Sequence, residues 1–249
     1  MKGAPFLGAN GRPAPGGRVV QMVFQDPLAA LDPRMTIGAQ LDEVLVATGH
    51  GQAEAERDRL LDSVGLGRHF AGRYPHELSG GQRQRAVIAR ALAAKPKLLI
   101  CDEALAALDV SVQAQMLALL SRLKTEFGLS LLFISHQLST VRYLCDEVAV
   151  MYAGRIVEQG TAAQVFTAAR HPYTRMLLAS TLHPNAANRY SEPVIGEPPD
   201  PLALPRGCPF HPRCALRHDR CETERPPLET HGDRLVACHL ESDRSSAVA

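Results

Sequence analysis

Two short runs in this chain carry side chains whose types and spacing fit phosphate chemistry. In Leu78-Ser79-Gly80-Gly81-Gln82-Arg83-Gln84-Arg85, a serine and two glycines open a basic, helix-forming stretch. Glycines lack a Cβ, so backbone N–H groups there can come within hydrogen-bond distance of phosphate oxygens, and a helix adds the positive end of its dipole. Ser79 offers a hydroxyl donor. Downstream, Leu98-Leu99-Ile100-Cys101 reads as a buried strand ending in two carboxylates, Asp102 and Glu103. One carboxylate suffices to hold Mg²⁺ beside a triphosphate, because the ion keeps several waters. The other can orient an attacking water. The sequence contains no G-x-x-x-x-G-K-[ST] loop, the main cradle for a nucleotide's phosphates.

The elements that must position these groups follow from hydrophobic periodicity. Val19–Phe24 reads as a buried strand ending at Gln25, and Asp26-Pro27 and Asp32-Pro33 mark turns. Ile37, Leu41, Val44 and Leu45 then fall on one helical face behind a Thr36 cap. A second helix covers about Ala53 to Val64, and a third runs from Gly81 to Ala94 until Pro96 stops it. After strand Lys97–Cys101, a helix over Val112–Leu123 is expected behind Ser111, and strand Ser130–Ile134 leads to His136. Val148–Tyr152 and Arg155–Glu158 flank Ala153-Gly154, a hairpin signal. Alternating strands and helices imply an α/β fold with a mostly parallel sheet and its site at the strands' C-terminal ends. Gln25, Asp102 and His136 each lie just past such an end.

Taken singly, a Ser-Gly-Gly turn, an Asp-Glu pair or a histidine after a strand has an ordinary explanation as a turn or a solvated edge. Taken together and in this order, they resemble the nucleotide-binding subunits of ABC transporters. The resemblance implies an ABC-type P-loop NTPase fold: a parallel-sheet core with an inserted α-helical subdomain (about 35–95), here lacking the N-terminal P-loop unit. It implies ATP and Mg²⁺ as ligands. Asp102 resembles the Walker B aspartate and Glu103 the adjacent catalytic glutamate. Gln25 resembles the Q-loop glutamine, His136 the switch histidine and Asp109 the D-loop aspartate at a dimer interface. Ser79, Gly80, Gly81 and Gln82 resemble the signature loop that reaches ATP held mainly by a partner subunit. Departures are Ala104, where proline is common, and Ala106-Ala107, where small polar residues are usual. A pattern that begins midway implies a truncated reading frame or a mis-called start, or else a degenerate, non-hydrolytic subunit.

Further runs narrow the branch. Val-Phe-Gln-Asp-Pro, Leu-Asp-Val-Ser-Val-Gln-Ala-Gln, Val-Met-Tyr-Ala-Gly-Arg-Ile-Val-Glu and His171-Pro172-Tyr173-Thr174 resemble dipeptide/oligopeptide importers. Nickel, sugars and opines are alternative cargoes in that branch. The resemblance implies an ATP hydrolase coupled to transport, peripheral on the cytoplasmic face of the bacterial inner membrane. Its implied partners are a second ATPase subunit, two transmembrane permeases and, indirectly, a solute-binding protein. An ABC-type DNA-repair ATPase fits less well, because no long coiled-coil insertion interrupts the chain.

Composition agrees with these classes. With 249 residues, 45% of them hydrophobic, the chain can bury one substantial core and a smaller appendage. A net charge of +1 argues against a nucleic-acid binder. The organisation read from the sequence is a disordered stretch 1–18, a partial ATPase domain 19–160, helices and a Pro-rich linker 161–206, a Cys-rich segment 207–240 and a tail 241–249. Of six cysteines, Cys101 and Cys145 sit in apolar contexts and read as core residues. The other four, Cys208-x5-Cys214-x6-Cys221-x16-Cys238, crowd a segment with few apolar residues, which calls for a staple. Four thiolates suit iron–sulfur or Zn²⁺, and the C-x2-C pairs of zinc ribbons are absent. The resemblance implies a 4Fe–4S cluster; zinc or metal-free core cysteines are the alternatives. His211, His218, His231 and His239 could replace a ligand but read as surface residues.

Overall fold

The computed structural model describes residues 20–49, 53–181, 196–197, 199–200 and 202–241. The expectations for 1–18, for 182–195 of the linker and for the tail beyond 241 lie outside these residues. The chain divides into two compact units, Met1–His136 and Gln137–Ala249.

In the first unit, strands β1 (Val20–Val23), β2 (Leu98–Asp102) and β3 (Ser130–Ile134) form a parallel sheet in the order β1-β2-β3. The register aligns Val20 with Leu98 and Leu98 with Ser130, so the three strands end along one edge. Alternation sends Val23, Leu99 and Cys101 to one face, where all three are fully buried. The other face carries Met22, Leu132 and Ile134, which are 37%, 49% and 46% exposed. Phe24, just beyond β1, is 50% exposed. The expectation of a buried first strand therefore holds for one face only. An apolar run shows that a strand can be covered, not that a covering layer is there; parallel sheets are ordinarily covered on both sides.

Three helices build the inserted block: α1 (Ile37–Ala47), α2 (Ala53–Ser63) and α3 (Gly80–Ala93), which pack on one another. Thr36 caps α1, its Oγ1 accepting from the Ala39 N–H at 3.3 Å. Ile37, Leu41 and Leu45 then repeat on one buried face and meet Leu60 and Leu61 of α2 and Ile88 and Leu92 of α3, all essentially inaccessible. Arg57 crosses from α2 to Asp42 on α1 at 3.1 Å. Lys95 turns the chain out of α3 with φ of 49°, one residue before Pro96.

The second unit begins with α5 (Leu138–Leu144), which follows α4 (Val110–Glu126) of the first. Strands β4 (Glu147–Tyr152) and β5 (Arg155–Thr161) pair antiparallel around Ala153 and Gly154, whose φ values of 48° and 75° are those of the tight hairpin turn the sequence signals. Helices α6 (Ala162–Thr167) and α7 (Pro172–Thr181) follow, then α8 (Asp219–Thr223) and the strands β6 (Glu229–His231) and β7 (Arg234–Val236). β7 pairs with β5, giving the order β4-β5-β7-β6. That pairing joins the cysteine-bearing segment to the hairpin in one sheet.

The segment also shares a core with the hairpin. Phe210 and Cys214 bury against Val150, Tyr152, Val157 and Val165. The Tyr152, Tyr173 and Phe210 rings pack with centroids 4.6 to 5.6 Å apart. Beside them Glu158, wholly inaccessible, accepts from the Arg170 and His171 N–H groups at 2.9 and 3.0 Å and from Arg234 Nη1 at 3.4 Å. His171 Nδ1 in turn accepts from the Tyr173 N–H at 3.1 Å.

Burial, aided by the charge of Arg175, pushes the His171 pKa from 6.5 down to about 3. The unfolded chain therefore takes up a proton in a range where the folded chain does not. The stability owed to neutral His171 is complete above pH 6.5 and is lost as pH falls toward 3, by up to about 1.4 kcal/mol per pH unit. Urea midpoints of this unit should fall from pH 7 to pH 4 more steeply in the parent than in His171→Asn, whose side-chain oxygen can still accept from Tyr173. Equal slopes would show that His171 does not titrate as described.

Candidate nucleotide site

Asp102 closes β2 opposite Ile134 of β3, while Gln25 and His136 lie two residues beyond β1 and β3. The strand-end convergence read from the sequence is therefore present. Asp102 is half-buried, and its carboxylate has no hydrogen-bond or ion-pair partner among the described residues. Gln25 is exposed at the same edge and makes no hydrogen bond to Asp102, Glu103 or His136.

Glu103 is held differently. Its φ of 46° is left-handed, which costs a non-glycine residue about 1–2 kcal/mol. Its N–H donates to the Ile134 carbonyl at 3.0 Å, carrying the β2–β3 ladder one step further. In a regular strand, consecutive carboxylates would point to opposite faces. The left-handed step breaks that alternation, and Glu103 Oε1 comes to 3.1 Å from His136 Nδ1. A carboxylate only accepts, so Nδ1–H is the donor and Nε2 is left for a further partner. The two side chains are 35% and 65% exposed: as an ion pair they are screened, yet both stay open to a substrate.

The Ser79 turn forms a separate group. Ser79 caps α3 in a reciprocal box: its Oγ accepts from the Gln82 N–H at 3.3 Å, and Gln82 Oε1 accepts from the Ser79 N–H at 2.9 Å. Gln82, expected on the phosphate side, thus turns its carbonyl oxygen back onto the cap. Gly80 is exposed and leaves the helix end open. Gly81 has another reason to be glycine, since a Cβ there would stand 2.8 Å from Val112 Cγ1. The arginines that make the helix basic are committed to backbone carbonyls: Arg83 to Pro75 at 2.8 Å, Arg85 to Val64 at 2.6 Å and Arg90 to Ala30 at 3.0 Å. Asp109, not Ser111, is the cap of α4, accepting from the Val112 N–H at 2.9 Å and the Ser111 hydroxyl at 2.8 Å. These two bonds hold the Asp109 carboxyl below the usual range.

The four clustered thiols line one small cavity with His171, Phe210 and His239. Burial and the nearby Cys208 and Cys214 thiols push Cys238 up to about 12, and burial raises Cys208 too. Among the described residues, however, no three His, Cys, Asp or Glu side chains are arranged to hold a metal ion. The expected iron–sulfur centre therefore finds no ligand set as these side chains stand. The premise of a segment too poor in apolar residues is corrected as well, because the segment borrows a core from β4 and β5. Of the alternative ligands, His211 donates from Nδ1 to the Cys208 carbonyl at 2.9 Å, and His239 Nε2 lies 3.0 Å from that of Glu224.

Comparison with known proteins bears on both units. The family model for ABC transporters matches residues 10–106, and that for the oligopeptide/dipeptide transporter C-terminal region matches 157–221. A putative peptide import ATP-binding protein of Brucella abortus is 51% identical over 227 residues, covering 90% of this chain and 67% of that protein. The dipeptide transport ATP-binding protein DppF of Haemophilus influenzae is 47% identical over 229 residues, with 89% of this chain and 70% of that protein covered. This chain belongs to the ABC transporter ATP-binding proteins. The oligopeptide transport ATP-binding protein OppF of Salmonella typhimurium is 46% identical, covering 88% of this ABC subunit and 68% of its own length. A solved structure of CbiO1 from Clostridium perfringens, part of an ABC transporter complex, superposes with a TM-score of 0.56 at 26% identity, covering 74% of each chain. The subunit thus spans about two thirds of the length of these curated relatives.

Two features of this ABC subunit escape sequence reasoning. Nothing in Cys-Asp-Glu-Ala signals a left-handed glutamate, and nothing marks Glu158 as buried within a strand whose pattern does not alternate. The backbone strain can be measured. Glu103→Gly and Glu103→Ala remove the same carboxylate, but only glycine relieves the left-handed φ, so the glycine variant should be more stable by about 1 kcal/mol in urea unfolding. An alanine variant as stable as the glycine one would rule the strain out.

Proposed function

We propose that this chain is the ATP-hydrolysing subunit of an importer of di- or oligopeptides, acting on the cytoplasmic side of a bacterial inner membrane. The names of the relatives at 46–51% identity support the cargo class. The pairing of Glu103 with His136 beside an unpartnered Asp102 is the observation that carries the hydrolytic reading. Among the described residues no helix is long and apolar enough to cross a membrane. In this reading two transmembrane permease subunits form the pathway. A second ATPase subunit and a solute-binding protein complete the assembly in this reading.

The residues take the following roles. Asp102 fits a Mg²⁺ site, being a carboxylate with no competing partner at the strand edge, and the ion would neutralise charge on the phosphates. Glu103 accepts a hydrogen bond from the attacking water and orients it. His136, anchored through Nδ1, offers Nε2 toward a phosphate oxygen. Gln25 reports on the site from the end of β1. The exposed Ser79–Gly80 end of α3 faces the γ-phosphate bound by the second subunit, with Asp109 at the junction between the two.

For the four thiols we propose the iron–sulfur cluster that the resemblance implies, formed by rearrangement of side chains that make no ligand set as they stand. Convergence of Cys208, Cys214, Cys221 and Cys238 on one cavity supports it. The cluster would cross-link the segment, and no step of ATP hydrolysis involves it. Anaerobically purified chain should carry iron matched by acid-labile sulfide, with both lost in Cys221→Ser. Colourless anaerobic protein, with zinc or without metal, excludes the cluster.

The hydrolytic role is tested with the upstream G-x-x-x-x-G-K-[ST] unit of a relative joined ahead of Val20. Glu103→Gln should then keep ATP binding but lower turnover by about 10²-fold or more, since the amide no longer activates water while Asp102 is untouched. The chain without that unit should turn over little ATP. Undiminished turnover in Glu103→Gln would remove Glu103 from the mechanism.

A further inference from the structure

The unit Gln137–Ala249 holds a larger cavity, of about 430 Å³, apart from the nucleotide site. It adjoins the thiol-lined one, sharing Cys208, His171, Phe210 and Pro226 with it. Its volume lies in the range that encloses a small organic ligand. Ile156 and Val157 of β5, Phe210, Pro226 and Leu228 make much of its wall apolar. The charged groups on it are all of one sign. Among the described residues Arg155 and Arg225 line it, and no aspartate or glutamate does.

Neither arginine has a carboxylate partner among the described residues, whereas Arg170, Arg220 and Arg234 of the same unit each have one. Both are also pre-positioned. Arg155 pairs with Tyr152 across the tight Ala153-Gly154 turn, and Arg225 precedes Pro226-Pro227, whose rings restrict the backbone. Tyr152 contributes to the wall, packed against Phe210 at 5.2 Å between ring centroids. His171, held neutral by burial, adds no charge.

We propose that this cavity binds a small monoanion, a carboxylate on an apolar or aromatic body, held at the carboxylate by Arg155 and Arg225 and at the body by Val157, Phe210 and Leu228. Guanidinium groups match a carboxylate's two oxygens, and an unpaired arginine at an acid-free cavity gains the partner it lacks. The same absence of acids argues against a free peptide, because the peptide's ammonium group would enter beside two cations with nothing to pair with. The site is therefore distinct in chemistry from the proposed transport cargo, and it stands whether or not the chain hydrolyses ATP.

The test uses the full chain with 4-phenylbutanoate as probe, followed by calorimetry and by NMR of labelled Ile, Leu and Val methyls. The probe should bind with shifts centred on Ile156, Val157 and Leu228. Its neutral amide should bind about tenfold more weakly or worse, as should the acid to Arg155→Gln or Arg225→Gln. Both arginines are exposed, so these variants should fold normally. Leu228→Trp, which fills the cavity from a partly exposed position, should also block the acid. Equal binding of acid and amide, equal binding of the dipeptide Leu-Leu, or shifts away from these methyls would each overturn the proposal.

Discussion

The parallel pairing of β2 with both its neighbours is the constraint on which the first unit's chemistry rests. Leu98 stands opposite Val20 on one side and Ser130 on the other, so the strands finish level. Because they do, Gln25, Asp102 and His136 reach one edge without any loop having to carry them there. The Glu103 N–H to Ile134 carbonyl bond extends the same ladder by one residue, in a backbone state that no regular strand contains. A register slip of one residue would flip Leu99 and Cys101 out of the core and put Asp102 on the wrong side of the sheet. Core packing and the placement of the strand-end side chains are therefore set by one set of backbone hydrogen bonds.

How much of this was legible in the sequence depends on whether a feature is local. Periodicity located α1, α2, the hairpin turn at Ala153-Gly154 and the strand ends, because each is written in a few adjacent residues. The cap of α4 was misplaced by two residues, since Asp109 and Ser111 are both good caps and only the backbone shows which one accepts from Val112. The strand burial was over-read at Met22 and Phe24 because the second covering layer is not a property of the strand. The arginines make the stretch after Ser79 basic, but the carbonyl partners of Arg83, Arg85 and Arg90 lie 8, 21 and 60 residues away in the chain. Long-range partnerships of that kind leave no local trace.

Glu158 plays the organising part in the second unit. A fully buried carboxylate is costly unless its oxygens are occupied. Here two backbone N–H groups and one guanidinium occupy them, from Arg170, His171 and Arg234. Those three donors belong to the turn before α7 and to β7, so one side chain fixes both to β5. Arg234 also donates to the Ala168 carbonyl at 2.7 Å, which ties the end of α6 to the same node. The Cys-rich segment is thereby registered on the hairpin before any question of metal arises.

Magnitudes limit what the Ser79 end of α3 can do by itself. An exposed helix N-terminus stabilises an anion by roughly 0.3–1 kcal/mol, whereas a micromolar dissociation constant needs about 8 kcal/mol. The Ser79 hydroxyl adds one hydrogen bond, worth about 1.5–3 kcal/mol to a charged acceptor. Arginine charge cannot make up the difference, because Arg83 and Arg85 are spent on carbonyls within the helical block. In the proposed reading the helix end therefore orients a phosphate whose binding energy comes from another cradle. On the same reading, this end, a strained and paired Glu103 and an open Asp102 complete a nucleotide site rather than capture the nucleotide unaided.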